Sequence, residues 1–442
     1  MTRVGGDMAQ TYEPMSPEVK QDPESYWRVL RTTQPVHHYR LPAEMANVIS
    51  QNPLAAKPTD EFWSVLRYAD VRHVLMNPKE FSSLEGPGPE RMTPLVEGGV
   101  LLFADDPVHL RQRRLAAKAF TPASVDRLIP QIQEAVDGLI DKIKDEGSME
   151  VMRDVALPMS IRTIARIVGV PVERVDDFRR WGNAIVAAFG GDPEALNEGF
   201  VGLSELFAYT QQLIDAIRAG EEHAIGPDLA DGVLAGLVHA EVEGTRLNDD
   251  EIRLAVMQLI TAGFETTSTA TANGVHLLCS HPEQRALFEV GDENVVRMAV
   301  EEIVRFMSPL EGLFRTTNLD VELGKCPIPA GAKIRAVFAA ANRDEEQFTD
   351  AGSFRIDRDP TELRKHIGFG LGPHACIGAA LARAELRIVF ETLFRRLPGL
   401  RIDESKPPLR STALVINGLT ELHITWDPTA ALPARSQTPE TG

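Results

Sequence analysis

The chain has 442 residues, which at roughly 150 residues per domain would allow two or three domains. Its 46 Lys and Arg stand against 64 Asp and Glu, a formal net charge of -18. That argues against general binding to nucleic acid or anionic membranes, because no surplus cation is available to neutralise phosphates. Three widely spaced cysteines, Cys279, Cys326 and Cys376, exclude a disulfide scaffold and a Cys-rich zinc site. The start, MTRVGGDMAQ, lacks the apolar stretch of a signal peptide. No apolar run is long enough for a membrane span. A cytoplasmic protein without a membrane anchor is expected.

In chain order, residues 1–25 are polar and contain Pro, so a loose N-terminal arm is expected. Residues 60–76 read as a short β-prone strand followed by a helix that stops at Pro78. Residues 84–103 are rich in Gly and Pro and then turn apolar in GGVLLF, which predicts a long loop of the kind that serves function. Helical patterns dominate residues 107–310. Thr121 followed by Pro122 marks one helix start. Gly190-Gly191-Asp192-Pro193 breaks the run. A long helix is expected from the Asn248 cap to Cys279. Residues 313–340 carry the turn chemistry of short strands or hairpins. Residues 376–396 are helical again, and the tail 428–442 is expected to be disordered. The fold class is therefore mainly α with a small β region near both ends.

Residues 369–378, FGLGPHACIG, are the most informative stretch. Phe369, Gly370, Gly372, His374, Cys376 and Gly378 lie in one run that opens a helix. Glycines let a backbone turn tightly and approach a flat ligand. A cysteine just before a helix N-terminus meets free N–H groups and the positive end of the dipole, which stabilise a thiolate. Such a thiolate, with an aromatic residue beside it, suits an axial haem ligand. The bland alternative is a core cysteine beside a glycine turn. The combined spacing Phe-Gly-x-Gly-x-His-x-Cys-x-Gly, however, resembles the haem-binding loop of the cytochrome P-450 family.

Three further segments carry the same resemblance. Glu302 and Arg305, three apart on one helix face, can pair; they resemble the family's Glu-x-x-Arg brace, a structural role completed by a later Arg or His. Ala262-Gly263-Phe264-Glu265-Thr266, within the long helix, resembles the family's oxygen-side pattern. There the small Ala262 and Gly263 let a flat ring or oxygen approach, and an acid and an alcohol can relay protons. Its plain alternative is a helical Thr bonding back to its own carbonyl. His109 and Arg113 share one helix face and suit two carboxylates, which resembles the family's propionate clamp. The resemblance adds Arg315 and His374 to that clamp, and it extends over roughly residues 60–427.

The resemblance implies a single triangular helical unit over residues 26–427 enclosing haem b, with Cys376 as the thiolate ligand to iron. Phe369, Gly370, Gly378, Ala262 and Gly263 would also contact the cofactor. It implies a monooxygenase that takes O₂ as co-substrate and inserts one oxygen atom into a C–H bond or alkene. Glu265 and Thr266 would be the catalytic pair. Electrons would come from NAD(P)H through a separate ferredoxin and ferredoxin reductase, since the chain carries no flavin or dinucleotide motif. The docking cations would be Arg111, Arg114, Lys118, Arg364 and Lys365. By analogy the pocket for a hydrophobic small molecule draws on Leu95, Val96, Leu101, Leu102, Phe103, Leu259, Leu313, Phe314, Leu414 and Val415. Glu311 is either a contact to a polar group of the substrate or a surface carboxylate. A monomer is the expected unit. A peroxide-driven enzyme and a non-catalytic haem sensor are the alternatives on this fold. Neither needs the Glu265–Thr266 pair. A Cys-nucleophile hydrolase lacks a His–Asp partner pattern for Cys376.

Overall fold

The computed structural model describes residues 12–430 apart from 44–45, 47–54, 58, 93, 95–97, 118–119, 170–173, 189–192, 222–231 and 243. The centre of the molecule is a helix of 32 residues, Asp249–Ser280. It starts where the sequence signals it. Asn248 accepts from the Glu251 amide and Glu251 reaches back to the Asn248 amide, both at 2.9 Å, a reciprocal cap. The helix is buried on most of its sides, as expected of a span inside a large core. Around it pack Leu157–Val168, Val175–Ala188, Pro193–Ala219, Glu293–Phe306 and the helix after the cysteine loop, Ala379–Arg396. Among the described residues no helix is long and apolar enough to cross a membrane.

Small residues let the central helix come close to its neighbours. A Cβ on Gly274 would lie 2.1 Å from the ring tip of the fully buried Phe390 in Ala379–Arg396. That close crossing fixes the height of the cysteine-side helix against the central one.

The β portion is one five-stranded sheet and several two- or three-stranded ladders. The sheet order is Val36–Arg40, Glu61–Val65, Lys333–Ala336, Leu313–Thr317, Phe81–Ser82. Lys333–Ala336 runs parallel to Glu61–Val65 with Ile334 opposite Trp63, and antiparallel to Leu313–Thr317 with Ile334 opposite Arg315. The sheet thus brings the early strand of the 60–76 reading beside the late hairpins.

The loose arm expected over residues 1–25 is corrected for 12–25; residues 1–11 lie outside the described residues. Pro17–Gln21 and Pro23–Thr33 are capped helices. Tyr12, Val19, Tyr26, Trp27 and Leu30 are buried against Leu66 and residues 337–340. Lys20 is only 4% exposed and pairs with Glu311, which also binds Arg335. Glu311 is therefore neither a surface carboxylate nor placed to meet a ligand: it is 1% exposed and ties the N-terminal helix to the sheet. The disordered tail expected beyond Asp427 falls mostly on residues 431–442, outside the described ones.

Gly274→Ala sets two effects against each other. Ala gains about 1 kcal/mol of helix propensity. Overpacking a rigid buried ring costs about 1–3 kcal/mol, and at 2.1 Å the overpacking dominates. The variant is expected to unfold at lower denaturant concentration than wild type, by chemical denaturation followed by circular dichroism.

Candidate active site at the cysteine loop

The cysteine loop is built to present one sulfur. Gly372–His374 is a single tight turn. The Cys376 amide donates to the Phe369 carbonyl at 2.7 Å, and Gly378 caps Ala379–Arg396. Burial pushes the Cys376 thiol pKa up, opposed by the Gly378 amide and by Arg113 and Arg383. Its side chain is nonetheless accessible, so a sulfur deep in the molecule opens onto interior space. A Cβ on Gly378 would meet nothing but the Cys376 sulfur, at 4.0 Å. The absence of a side chain there leaves one flank of the sulfur clear.

Phe369 is half-buried beside this loop. The Arg383 guanidinium lies over its ring, 4.3 Å from the centroid, and is held there by Glu301 at 2.9 Å. Glu301 also contacts His366 Nε2 at 2.7 Å. Burial works to raise the Glu301 pKa, but His366 and Arg383 outweigh it and bring it down to about 2. These three partners were not legible as a motif, because they come from three separate segments.

The four bases expected to act together do meet. The His109 and His374 rings lie 4.0 Å apart between centroids. His374 Nε2 is 3.1 Å from the Ser83 hydroxyl. His109 Nδ1 is 3.4 Å from Asp106. Arg315 is 4% exposed and donates to its neighbour's carbonyl, Phe314 O, at 2.7 Å. Burial, with Arg315, His109 and Arg113 alongside, pushes the His374 pKa down to about 2. Burial likewise lowers Arg315 to about 10, partly offset by Asp105, and lowers His109 and Arg113. Asp105 is itself engaged by Ser82 and by the Ser83 amide at 2.8 Å. Cations gathered out of water repel one another unless anions join them.

On the central helix an accessible patch interrupts the buried surface. Ala262 is exposed and Glu265 and Thr266 are half-buried, whereas Phe264 and Thr267 are buried. Burial raises the Glu265 pKa, so this carboxyl holds its proton to higher pH than a free one. The Thr266 hydroxyl donates to Ala262 O at 2.7 Å, the back-bond of the plain reading. Gly263 is corrected. Its missing Cβ faces Ile164, which would be 2.8 Å away, so its smallness serves packing against Leu157–Val168 rather than approach of a ring. Glu385 was not singled out in the sequence. It is 3% exposed, lies nine residues after Cys376, and sits beside the Thr163 and Thr267 side chains. Burial raises its pKa to about 8.

The expected pocket divides. Leu101, Leu102, Phe103, Leu313 and Val415 are half-buried, and Leu259 is buried. Leu95 and Val96 lie outside the described residues. Phe314 is corrected. It is wholly buried and meets Phe62 edge-on at 5.1 Å, in a cluster with Tyr39, Leu41 and Leu414. Strand alternation sends it to the opposite sheet face from Leu313 and Arg315. Leu414 belongs to that cluster and Val415 packs at its edge. Glu302 and Arg305 form the expected brace, both 0% exposed with two contacts of 2.7 Å. The later Arg is Arg358, 3.2 Å from Glu302.

A haem with two propionates fits these residues: a bare sulfur with a clear flank, and a group of two guanidiniums and two imidazoles beside it whose donors suit carboxylates. The comparisons with known proteins agree. The family model for Cytochrome P-450 matches residues 58–419. The chain belongs to this family and is a monooxygenase, an oxidoreductase using haem iron and O₂. It is 35% identical to the cytochrome P-450 monooxygenase PikC of Streptomyces venezuelae, over 92% of this chain and 91% of that one. It is 31% identical to the Vitamin D(3) 25-hydroxylase of Pseudonocardia autotrophica, over 93% and 95%. The solved structure of cytochrome P-450 CYP109Q5 from Chondromyces apiculatus superposes with TM-score 0.79 and 31% identity, covering 94% of this chain and 98% of that one.

The Glu385 carboxyl gives a pH signature. Its folded pKa of about 8 lies above the unfolded value near 4.3, so the folded state binds the extra proton between them. Stability therefore falls as pH rises through that window, by roughly 3–5 kcal/mol in total. Glu385→Gln is expected to flatten the dependence between about pH 5 and 8, measured as denaturation midpoints across that range.

Proposed function

We propose that the protein oxygenates a hydrophobic small molecule held between the accessible patch of the central helix and the apolar segments 101–103 and 313, with electrons delivered by a separate ferredoxin and its reductase fed by NAD(P)H. The proposal takes residues 26–427 as one haem-binding unit. The observation that carries it is the pairing of an accessible Cys376 sulfur with a cluster of basic side chains, buried His109 and Arg315 and half-buried Arg113 and His374. Cys376 would hold the haem iron, and the four bases would hold the two propionates. When bound, the haem supplies the activation of O₂ and the oxidation of an unreactive C–H bond or alkene.

The chain's own residues set the proton supply and the shape. Glu265 holds a proton on its carboxyl beyond the usual range because it is partly withdrawn from water. Thr266 offers a hydroxyl one residue on, after release from Ala262 O. An acid and an alcohol at adjacent positions can pass a proton toward the accessible patch. The apolar walls exclude water and favour a bulky hydrophobic molecule such as a terpenoid, steroid, fatty acid or aromatic. The Pseudonocardia autotrophica relative, a vitamin D(3) 25-hydroxylase, takes a substrate of that kind.

The electron donor would be acidic and dock near the cysteine loop. Arg364 and Lys365 are exposed there. Arg111 is withdrawn from that group: it is bound to the buried Glu251 and serves the fold. Lys118 lies outside the described residues.

Glu265→Gln and Thr266→Ala, assayed with a ferredoxin system, are expected to lower product formed per NAD(P)H consumed and to slow turnover by about 10²-fold. With hydrogen peroxide in place of O₂ and ferredoxin, the same variants should lose much less. Equal losses with both oxidants would sink the proton-relay reading, and wild-type turnover faster with peroxide than with the ferredoxin system would favour the peroxide-driven alternative.

A further inference from the structure

We propose that Gln112 and Gln258 clamp the segment Gly99–Phe103 into a fixed wall above the accessible face of the central helix, and so determine which molecules fit there. The inference rests on the substrate side assigned under Proposed function and concerns residues that no motif identifies.

The geometry is two-sided. Val100 is extended and Leu101–Phe103 is a single 3₁₀ turn, so most peptide groups of this segment have no regular partner of their own. From one side the Gln112 amide accepts from the Leu101 N–H at 2.7 Å and donates to Gly99 O at 3.2 Å. From the other, the Gln258 amide accepts from the Leu102 N–H at 3.1 Å and donates to Val100 O at 2.8 Å. A carboxamide carries acceptor and donors side by side, so each glutamine satisfies one N–H and one carbonyl of the segment at once. Gln112 is 1% exposed and Gln258 is 7% exposed, which keeps water from competing for these bonds.

The segment needs such holding. Gly98 and Gly99 have φ of 76° and 74°, and Leu101 has φ of 43°, a region unfavourable for a residue with a side chain. A Cβ on Gly99 would sit 1.8 Å from Phe103 O, so the turn closes tightly on itself.

The clamp is mounted on the two helices that carry the candidate chemistry. Gln258 lies one turn before Ala262 on the same face of the central helix. Gln112 lies on Val108–Ala117, next to Arg113 and one turn after His109. Its amide also reaches Glu251 at 3.1 Å, where Arg111 binds too, and Glu251 closes the cap of the central helix. A wall fixed in this way needs no ordering when a ligand arrives, and it discriminates by shape.

The test uses the holoenzyme. In wild type, hydrogen exchange should show the Leu101 and Leu102 amides protected. Gln112→Met and Gln258→Met keep side-chain length and remove the hydrogen bonds. Each should speed exchange at those amides by about tenfold. Titration with imidazole and with 4-phenylimidazole, read from the Soret band, should show the ratio of the two affinities changed at least about fivefold, with imidazole itself within about twofold. Unprotected amides in wild type would overturn the clamp, as would an unchanged affinity ratio in both variants. If one variant does not fold, the other and the wild-type exchange still decide. Absence of any Soret response in wild type would instead refute the haem reading, while the exchange data continued to report on the clamp.

Discussion

Four basic side chains gathered at one place and partly withdrawn from water are the constraint on which the rest of the site depends. His109, Arg113, Arg315 and His374 come from a helix, a strand and the cysteine loop, and burial drives all four toward their neutral forms. The nearest acids are partly spent: Asp105 on two serines and Asp106 on His109. An isolated fold would gain by dispersing such charges. Two guanidiniums and two imidazoles gathered beside the Cys376 sulfur, which feels Arg113, fit the anionic edge of the proposed haem.

The scaffold can be seen as the means of keeping this arrangement in register. The capped central helix places the accessible patch at Ala262, Glu265 and Thr266, and the close crossing at Gly274 sets the distance to the cysteine-side helix. Glu302, Arg305 and Arg358 lock the segment that leads to the cysteine loop: Arg305 also binds the carbonyls of Asn342, Ala351 and Ser353. Glu301, the neighbour of that brace, holds Arg383 over Phe369. One helix end thus serves both the core and the surroundings of the sulfur.

What could be read from the chain was local. The Asn248 cap, the Thr121 cap, the strand and helix of residues 60–76 and the cysteine loop all depend on neighbours within a few residues. What could not be read depends on distant partners. The segment 12–25 looked polar because its few apolar residues find their surfaces more than three hundred positions later, near Val337 and Ala340. Glu311 looked isolated because Lys20 and Arg335 are remote. Phe314 was assigned to the pocket because a strand's period of two does not say which face points where. Gly263 was read for a ligand when its neighbour is Ile164. Glu385 and the two glutamines carry no motif, since their meaning lies in partners on other helices.

The central claim is that Cys376 holds a haem iron as a thiolate, and the reduced, carbon monoxide-treated absorption spectrum of wild type and Cys376→Ser tests it most directly. The account predicts a strongly red-shifted Soret band in wild type that is lost in the variant. A band of the imidazole-ligated kind in wild type, or the same band in both proteins, would contradict it.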